Sequence, residues 1–125
     1  MHENDIAKEI VDAAYKTHKA LGPGLLESIY ELVLFQEIRK KGLICNRQAG
    51  VDVYYDGKII GEGFRADLIV ENKVIVEIKS VEQVIPLHLK QLLTYLTIAN
   101  MKLGFLINFN TSLIKEGIYR VADKL

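Results

Sequence analysis

Apolar positions in the first forty residues recur every three to four residues, which is the period of an amphipathic helix. In the first segment these positions are Ile6, Ile10, Val11, Ala14 and Leu21. They predict a helix over residues 5–20, ended by the breaker Gly22-Pro23-Gly24. A second helix is predicted over residues 25–41, where Gly42 is a natural stop. The expected apolar stripe of that helix consists of Leu26, Ile29, Tyr30, Val33 and Ile38.

The hydrophobic period then changes to two, which is typical of β-strands. Residues 51–55 alternate apolar with shorter or polar side chains, and Asp56-Gly57 is a strong hairpin signal. Residues 58–63 lead into a second run at 64–70. After a turn comes a dense β-branched run at 74–79, which has the composition of a central strand.

The last third of the chain alternates again between helix and strand. Pro86 suits the first turn of a third helix that continues to about residue 99, where Asn100 can cap it. Residues 103–109 predict a fourth strand, and residues 112–121 a helical turn with a short final strand. The order α-α-β-β-β-α-β indicates an α/β fold. Because a helix connects the last two main strands, the sheet should be mixed.

Composition limits the class of protein. Half of the 125 residues are apolar, which suffices for the core of a single domain over residues 1–125. The only cysteine, Cys45, excludes an internal disulfide, suits a reducing compartment and is expected in the core. The N-terminal residues lack the apolar segment of a signal peptide, and no run of about 18 apolar residues is available to cross a membrane. We therefore expect a cytoplasmic protein without membrane contact.

Charge does not by itself indicate a nucleic-acid binder. Lys and Arg total 16, and so do Asp and Glu. The balance excludes nothing, because a local basic group or a bound cation can neutralise phosphate. The densest basic group consists of Arg39, Lys40, Lys41 and Arg47. It fits a nucleic-acid contact and a helix end that complements its own dipole equally well.

The turn at residues 71–73 decides which side chains meet across the second and third strands. If it has three residues, Val70 faces Val74, and the same pairing sets Asp67 opposite Glu77 on one face. A two-residue turn would slip the register and separate the two carboxylates. The three-residue turn is therefore a structural prediction.

Lys79 lies two residues beyond Glu77 and so shares its face. Two opposed carboxylates repel each other, so a positive charge should lie between them. Lys79 contributes one, and a divalent cation would do so better. Oxygen ligands without a nearby cysteine favour Mg²⁺ or Mn²⁺. The alternative is a solvated sheet face with an ordinary Glu–Lys pair, because an Asp followed by Glu-x-Lys is a weak pattern by itself.

Glu27 on the second helix is a further candidate ligand. It lies on a partly apolar line with Tyr30 and Leu34, where a carboxylate needs a partner or exposure. A metal shared with Asp67 would supply that partner. The alternative is a glutamate of the first helical turn, which the helix dipole favours.

The third helix presents a polar stripe beside an apolar one. His88, Gln91 and Tyr95 share one face, and Leu89, Leu93 and Leu96 are expected on another. The polar stripe indicates hydrogen bonding to a specific ligand, or else a partly exposed face whose polar groups are satisfied within the chain.

Four sequence blocks together resemble the GxxExxY protein family. Gly24-Leu25-Leu26-Glu27-Ser28-Ile29-Tyr30 fits the G-x-x-E-x-x-Y signature. Three later blocks follow in the family's order: Arg65-Ala66-Asp67, Glu77-Ile78-Lys79 and Gln91-Leu92-Leu93-Thr94-Tyr95-Leu96. The family is placed in the PD-(D/E)XK nuclease superfamily, on its RecB-like side, which implies a restriction-endonuclease-like mixed sheet flanked by helices. Ala66 stands where the superfamily's name has proline, a position that carries no chemistry.

The resemblance assigns roles to residues of this chain. The implied metal ligands are Glu27, Asp67, Glu77 and the Ile78 carbonyl, and the implied catalytic residues are Asp67, Glu77 and Lys79. Gln91 and Tyr95 would form the helix motif near the nucleic acid, and His88 and Tyr30 complete the expected substrate-binding set.

The activity implied is Mg²⁺- or Mn²⁺-dependent hydrolysis of nucleic-acid phosphodiester bonds, with DNA as the favoured substrate. No extra helix or basic arm is available to enter a groove, so we expect little sequence specificity, and action as a homodimer or beside a partner protein. Two alternatives stay open. One is a non-catalytic module that binds nucleic acid or protein and retains the fold. The other is a hydrolase of small phosphorylated substrates, which would need a deep pocket.

Overall fold

Three helices and five strands follow one another in the predicted order. The computed structural model describes residues 1–125. The helices are α1 (Glu3–Leu21), α2 (Glu27–Lys40) and α3 (Pro86–Ala99). The strands are β1 (Cys45–Tyr55), β2 (Lys58–Val70), β3 (Val74–Lys79), β4 (Leu103–Asn108) and β5 (Ile118–Ala122), with a 3-10 turn at Ile114–Gly117 before β5. The predicted lead-in at residues 58–63 is part of β2. No helix is long and apolar enough to span a membrane.

The five strands form one mixed sheet in the order β1-β2-β3-β4-β5. Strands β3 and β4 are parallel over their full length, and α3 makes the crossover between them. All other neighbours are antiparallel. The predicted α/β class and mixed sheet are confirmed. Asn100 ends α3 in the left-handed conformation, with φ of 56°, as expected of a cap residue.

Each face of the sheet has its own hydrophobic core. Helices α1 and α2 cover one face, where Ile6, Ile10, Leu34, Val76 and Ile78 are among the buried residues. Helix α3 covers the other, where Leu92 and Leu96 pack with Ile75 and Leu106. Cys45 belongs to the first core, and burial raises the pKa of its thiol to about 12. Such a thiol is unreactive at neutral pH, as expected of a core residue.

Two predicted apolar stripes are wrong in part. On α2 the buried row is Tyr30, Leu34 and Ile38, which are four residues apart, whereas Leu26 and Ile29 are 74% and 41% exposed. On α3 the core residue is Leu92 rather than Leu93. Both helices are apolar on more than one side, so periodicity alone does not select the face that packs against the sheet.

The turn between β2 and β3 has three residues, as predicted. Val70 pairs with Val74, and both Glu71 and Asn72 have φ of 53°. That conformation is unusual for glutamate. Hydrogen bonds hold it, because the Glu71 N–H donates to the Ile44 carbonyl at 2.8 Å and the Glu71 Oε2 accepts from the Ile44 N–H at 2.6 Å. The register of Asp67 and Glu77 follows from this turn.

Candidate active site

Asp67 and Glu77 lie side by side where β2 and β3 separate. The backbone pairing of the two strands runs from Val70–Val74 to Leu68–Val76. Beyond it, the Asp67 N–H donates to Glu77 Oε2, and the Ile78 N–H donates to Asp67 Oδ2, both at 2.8 Å. Each carboxylate thus accepts a hydrogen bond from a main-chain N–H of the opposite strand. These two bonds fix the orientation of both side chains relative to the backbone.

The surroundings of the pair oppose the ionisation of Glu77 beside Asp67. Burial and then the neighbouring Asp67 charge raise the pKa of Glu77 to about 8. The positive charge of Lys79, two residues beyond Glu77 on β3, acts in the opposite direction and lowers this pKa. The repulsion expected from the sequence therefore acts against the ionisation of Glu77, and a bound cation would relieve it.

A third carboxylate, Glu31 on α2, also belongs to this site. Only 7% of Glu31 is exposed. Its Oε2 accepts from Arg47 Nη2 at 3.0 Å and Nε at 3.1 Å, and its Oε1 accepts from Gln48 Nε2 at 2.8 Å. Burial and the Asp67 charge raise the pKa of Glu31. Glu31 was not among the residues predicted from the sequence, although Glu27 and Glu31 are four residues apart, a spacing that places two like charges on one helix face.

Glu27 approaches the site from the start of α2. Its Oε2 accepts from the Ser80 N–H at 3.3 Å, just after Lys79, and the Ser80 hydroxyl donates to the Leu25 carbonyl at 2.7 Å. The contacts tie the beginning of α2 to the end of β3. Glu27 does not join Asp67 and Glu77 in one cluster, because no three or more His, Cys, Asp or Glu side chains converge closely enough for one metal ion. Its role as a ligand stays a prediction.

The predicted residues of α3 differ in their surroundings. Tyr95 stacks on Phe64 with ring centroids 3.9 Å apart, and burial followed by the charges of Glu77 and Asp67 raises the pKa of its hydroxyl. Tyr95 therefore packs against β2, the strand that carries Asp67. Gln91 is exposed one turn earlier. His88 is partly committed to helix capping, since its Nδ1 accepts from the Ile85 N–H at 3.3 Å.

Tyr30 needs a correction, because it lies away from any surface that a substrate could reach. The residue is fully buried, and its ring stacks on Phe109 with centroids 4.6 Å apart. Its hydroxyl donates to the Gly22 carbonyl and accepts from the Leu25 N–H. Both hydrogen bonds hold the turn that joins α1 to α2. The position of Tyr30 gives it a structural role and does not support the expected contact with substrate.

Replacing Tyr30 with phenylalanine tests this correction. The variant loses both hydroxyl hydrogen bonds and leaves a carbonyl and an N–H of the turn without these partners. We expect the free energy of unfolding to fall by about 1–3 kcal/mol. Urea unfolding measures the loss, and substrate turnover at a temperature where both proteins are folded should stay at the parent level. A large loss of turnover without a loss of stability would instead indicate that Tyr30 contacts the substrate.

The basic group at the end of α2 is engaged within the chain. Lys41 pairs with Asp12 and Glu9, Lys40 with Glu37, and Arg47 with Glu31. Arg39 lies 5.4 Å from the centre of the Phe35 ring. Ion pairing thus accounts for most of this group, and it does not form a free basic patch.

The carboxylate pair lies outside the cavities of the molecule. The largest, about 890 Å³, lies between α1 and the β4–β5 edge and is lined by Val11, Tyr15, Phe105 and Arg120 among others. None of the cavities is lined by Asp67, Glu77 or Lys79. The carboxylate pair is therefore not enclosed by any of these cavities.

The donor set fits a hard divalent cation. Asp67 and Glu77 offer carboxylate oxygens, and the main chain of Ile78 lies against Asp67. Mg²⁺ commonly takes only one or two protein carboxylates and completes its shell with water and substrate phosphate oxygens. The raised pKa of Glu77 agrees with that chemistry, because a cation would stabilise the ionised form of both carboxylates.

Comparison with known proteins identifies the family. A family model described as the PD-(D/E)XK nuclease superfamily matches residues 4–121. No curated protein and no solved structure gives a significant match. The matched segment runs from the first turn of α1 to most of β5 and so includes the whole carboxylate site.

Proposed function

This chain belongs to the PD-(D/E)XK nuclease superfamily, and from that premise we propose that it is a metal-dependent nuclease that hydrolyses phosphodiester bonds of DNA without strong sequence specificity. Nucleases of this superfamily generally depend on a divalent metal. The observation that carries the proposal is the pair of Asp67 and Glu77 fixed to the backbone, with Lys79 two residues beyond Glu77 on β3. The four sequence blocks described above favour the GxxExxY family within the superfamily.

In this proposal Asp67 and Glu77 hold Mg²⁺ or Mn²⁺, with the Ile78 carbonyl as a further oxygen ligand. Glu27, which accepts from the Ser80 N–H next to Lys79, is proposed as a further ligand. When bound, the metal supplies a Lewis acid that polarises the scissile phosphate and activates water. The chain contributes the fixed orientation of its two carboxylates, because the Asp67 and Ile78 N–H groups hold them in place.

Lys79 is proposed to stabilise the charge that develops on the phosphate oxygens during the reaction. Its ammonium group acts as a point charge, and it follows Glu77 on the same strand face. Gln91 and Tyr95 would orient the nucleic-acid backbone through phosphate contacts, which position a substrate without selecting its sequence. The free Nε2 of His88 would extend the same line of contacts along α3.

Two features support a long, non-specifically bound substrate. The position of the carboxylate pair outside every cavity suits a polymer better than a small phosphorylated molecule, which would need an enclosing pocket. The projecting end of the β1–β2 hairpin carries Asp52, Asp56 and Glu62 against Lys58, and so presents no basic arm to a DNA groove. Specific base contacts commonly require such an element.

A non-catalytic module that binds nucleic acid or protein is the competing proposal. The observation that favours it is the lack of a cluster of three carboxylates around one point. Thermal melts discriminate between the two proposals. A ligand that binds only the folded state raises the melting temperature, so stabilisation by Mg²⁺ or Mn²⁺ supports the nuclease, whereas no response to either metal supports the module.

The substrate class is tested by incubating the protein with labelled plasmid, linear duplex DNA, single-stranded DNA and RNA. Each substrate is tried with Mg²⁺, with Mn²⁺ and with EDTA. We expect cleavage of DNA that requires metal and varies little with sequence. Cleavage of RNA alone would change the substrate. No cleavage by the folded protein, with or without metal, would favour the binding module or an enzyme that needs a partner protein.

A further inference from the structure

Gln48 has an unusual backbone conformation beside the carboxylate pair. Its φ is 49°, in the left-handed region that non-glycine residues rarely adopt. The β1–β2 pairing continues on either side, at Arg47 with Leu68 and at Ala49 with Ala66. The Gln48 carbonyl accepts from Arg65 Nη1 at 2.9 Å, which helps to hold the irregular segment. A strained residue that its surroundings hold in place often lies at a functional site.

The side chain of Gln48 joins two carboxylates. Its Nε2 lies 2.8 Å from Glu31 Oε1 and 3.3 Å from Asp67 Oδ1. Both neighbours accept hydrogen bonds when ionised, so the amide nitrogen rather than the amide oxygen faces them. Its two N–H groups match the two acceptors. Arg47 holds the far side of Glu31, which anchors Gln48 in turn.

Asp67 is thereby held at both of its oxygens. Oδ2 accepts from the Ile78 N–H at 2.8 Å, and Oδ1 accepts from Gln48. A carboxylate held at both oxygens keeps one orientation, with further lone pairs available to a ligand. Partners that orient a metal ligand in this way strongly affect metal affinity.

We propose that Gln48, anchored by Glu31 and Arg47, is a positioning residue that fixes the Asp67 carboxylate for divalent-metal binding, an inference that rests on the proposed nuclease function. A neutral donor suits this position. It orients Asp67 without adding a positive charge, so the pair keeps the negative charge that attracts a metal. Lysine at the same position would satisfy the carboxylates itself and compete with the metal.

Two substitutions separate positioning from a merely structural role. Gln48→Gly removes the amide and relieves the backbone strain, since glycine adopts positive φ readily. Its melting temperature without metal should therefore stay close to that of the parent. Its metal concentration for half-maximal cleavage should nevertheless rise by about ten- to a hundred-fold, as for other partners of metal ligands. Gln48→Lys keeps the strain, and should melt higher than the parent in EDTA while losing the response to Mg²⁺ and Mn²⁺.

The outcome that overturns the inference is parental metal dependence in both variants. A second readout needs neither metal nor cleavage. Gln48→Gly and Asp67→Asn are melted in EDTA singly and together, and a contact between the residues predicts shifts that do not add. Additive shifts would also count against it. A parent protein that neither binds metal nor cleaves nucleic acid would contradict the proposed nuclease function. The melting temperatures of the single and double variants in EDTA would still show whether Gln48 holds Asp67.

Discussion

Replacing Lys79 with alanine is expected to lower the rate of DNA cleavage by about 10²–10³-fold, which is the usual cost of removing one group that stabilises transition-state charge. The substitution should leave metal binding in place, because Lys79 is not a proposed ligand. Its charge lowers the pKa of Glu77 and so opposes the cation at that site. We therefore expect Mg²⁺ and Mn²⁺ to raise the melting temperature of the variant at least as much as that of the parent.

The matched control for this change is Lys115→Ala, which removes an exposed lysine on the turn before β5. Cleavage rates are measured at saturating metal for the parent and both variants. Lys115→Ala should cut at the parent rate. If Lys79→Ala did the same, the lysine would have no part in the chemistry and the assignment would be wrong.

Replacing Glu77 with glutamine is expected to stabilise the metal-free protein at neutral and alkaline pH. Burial and the Asp67 charge raise the pKa of Glu77 from its usual 4.5 to about 8 in the folded state. Between these values the folded protein holds a proton that the unfolded chain has lost. Stability from this group is therefore complete below pH 4.5 and is lost as pH rises to about 8. The loss amounts to roughly a few kcal/mol.

Glutamine cannot ionise, so the Glu77→Gln protein should lack this part of the pH dependence. Urea unfolding at several pH values in EDTA measures the difference. The free energy of unfolding of the variant should rise relative to that of the parent between pH 4.5 and about 8, and the difference should stay constant at higher pH. Glu116→Gln changes an exposed glutamate and should follow the parent curve. If the free energies of unfolding of Glu77→Gln and the parent changed with pH in the same way, the raised pKa of Glu77 would be contradicted.

With Mg²⁺ or Mn²⁺ bound, the parent should be more stable than Glu77→Gln, which is the reverse of the order without metal. A metal displaces the proton from Glu77, so stabilisation of the parent by Mg²⁺ or Mn²⁺ should increase as pH rises toward 8. Glu77→Gln lacks the ligand charge and should show little stabilisation at any pH. Melting temperatures with and without metal at two pH values are sufficient. Equal stabilisation of parent and variant would remove Glu77 from the ligand set.

Much of the fold follows from local sequence because the deciding signals are themselves local. The three-residue turn after Val70 fixes the register of β2 and β3, and the alternation of side chains then places Asp67, Glu77 and Lys79. The Gly-Pro-Gly breaker and Asn100 end their helices through backbone conformation, which depends on few neighbours. These features did not require knowledge of the rest of the molecule.

The other parts of the site depend on contacts between distant segments. Glu31 becomes a buried member of the site only because Arg47 and Gln48 meet it from β1. Glutamine at position 48 does not itself predict a positive φ, since the usual residues in that conformation are glycine and asparagine. Tyr30 was misplaced for a related reason. Its position in a signature beside Glu27 suggested a shared surface, whereas its ring enters the core and only its hydroxyl reaches the turn.

The most direct test of the central claim compares plasmid cleavage by the parent and by Asp67→Asn. This isosteric change removes the negative charge of Asp67 beside Glu77. Both proteins are incubated with plasmid and Mg²⁺, then with excess EDTA, and then with Mg²⁺ restored, and cleavage is measured at each stage. We predict that the parent cuts only when metal is present and resumes cutting after metal is restored, while Asp67→Asn is inactive throughout. Equal cleavage by the two proteins, or cleavage that persists in EDTA, would contradict a metal-dependent nuclease centred on Asp67 and Glu77.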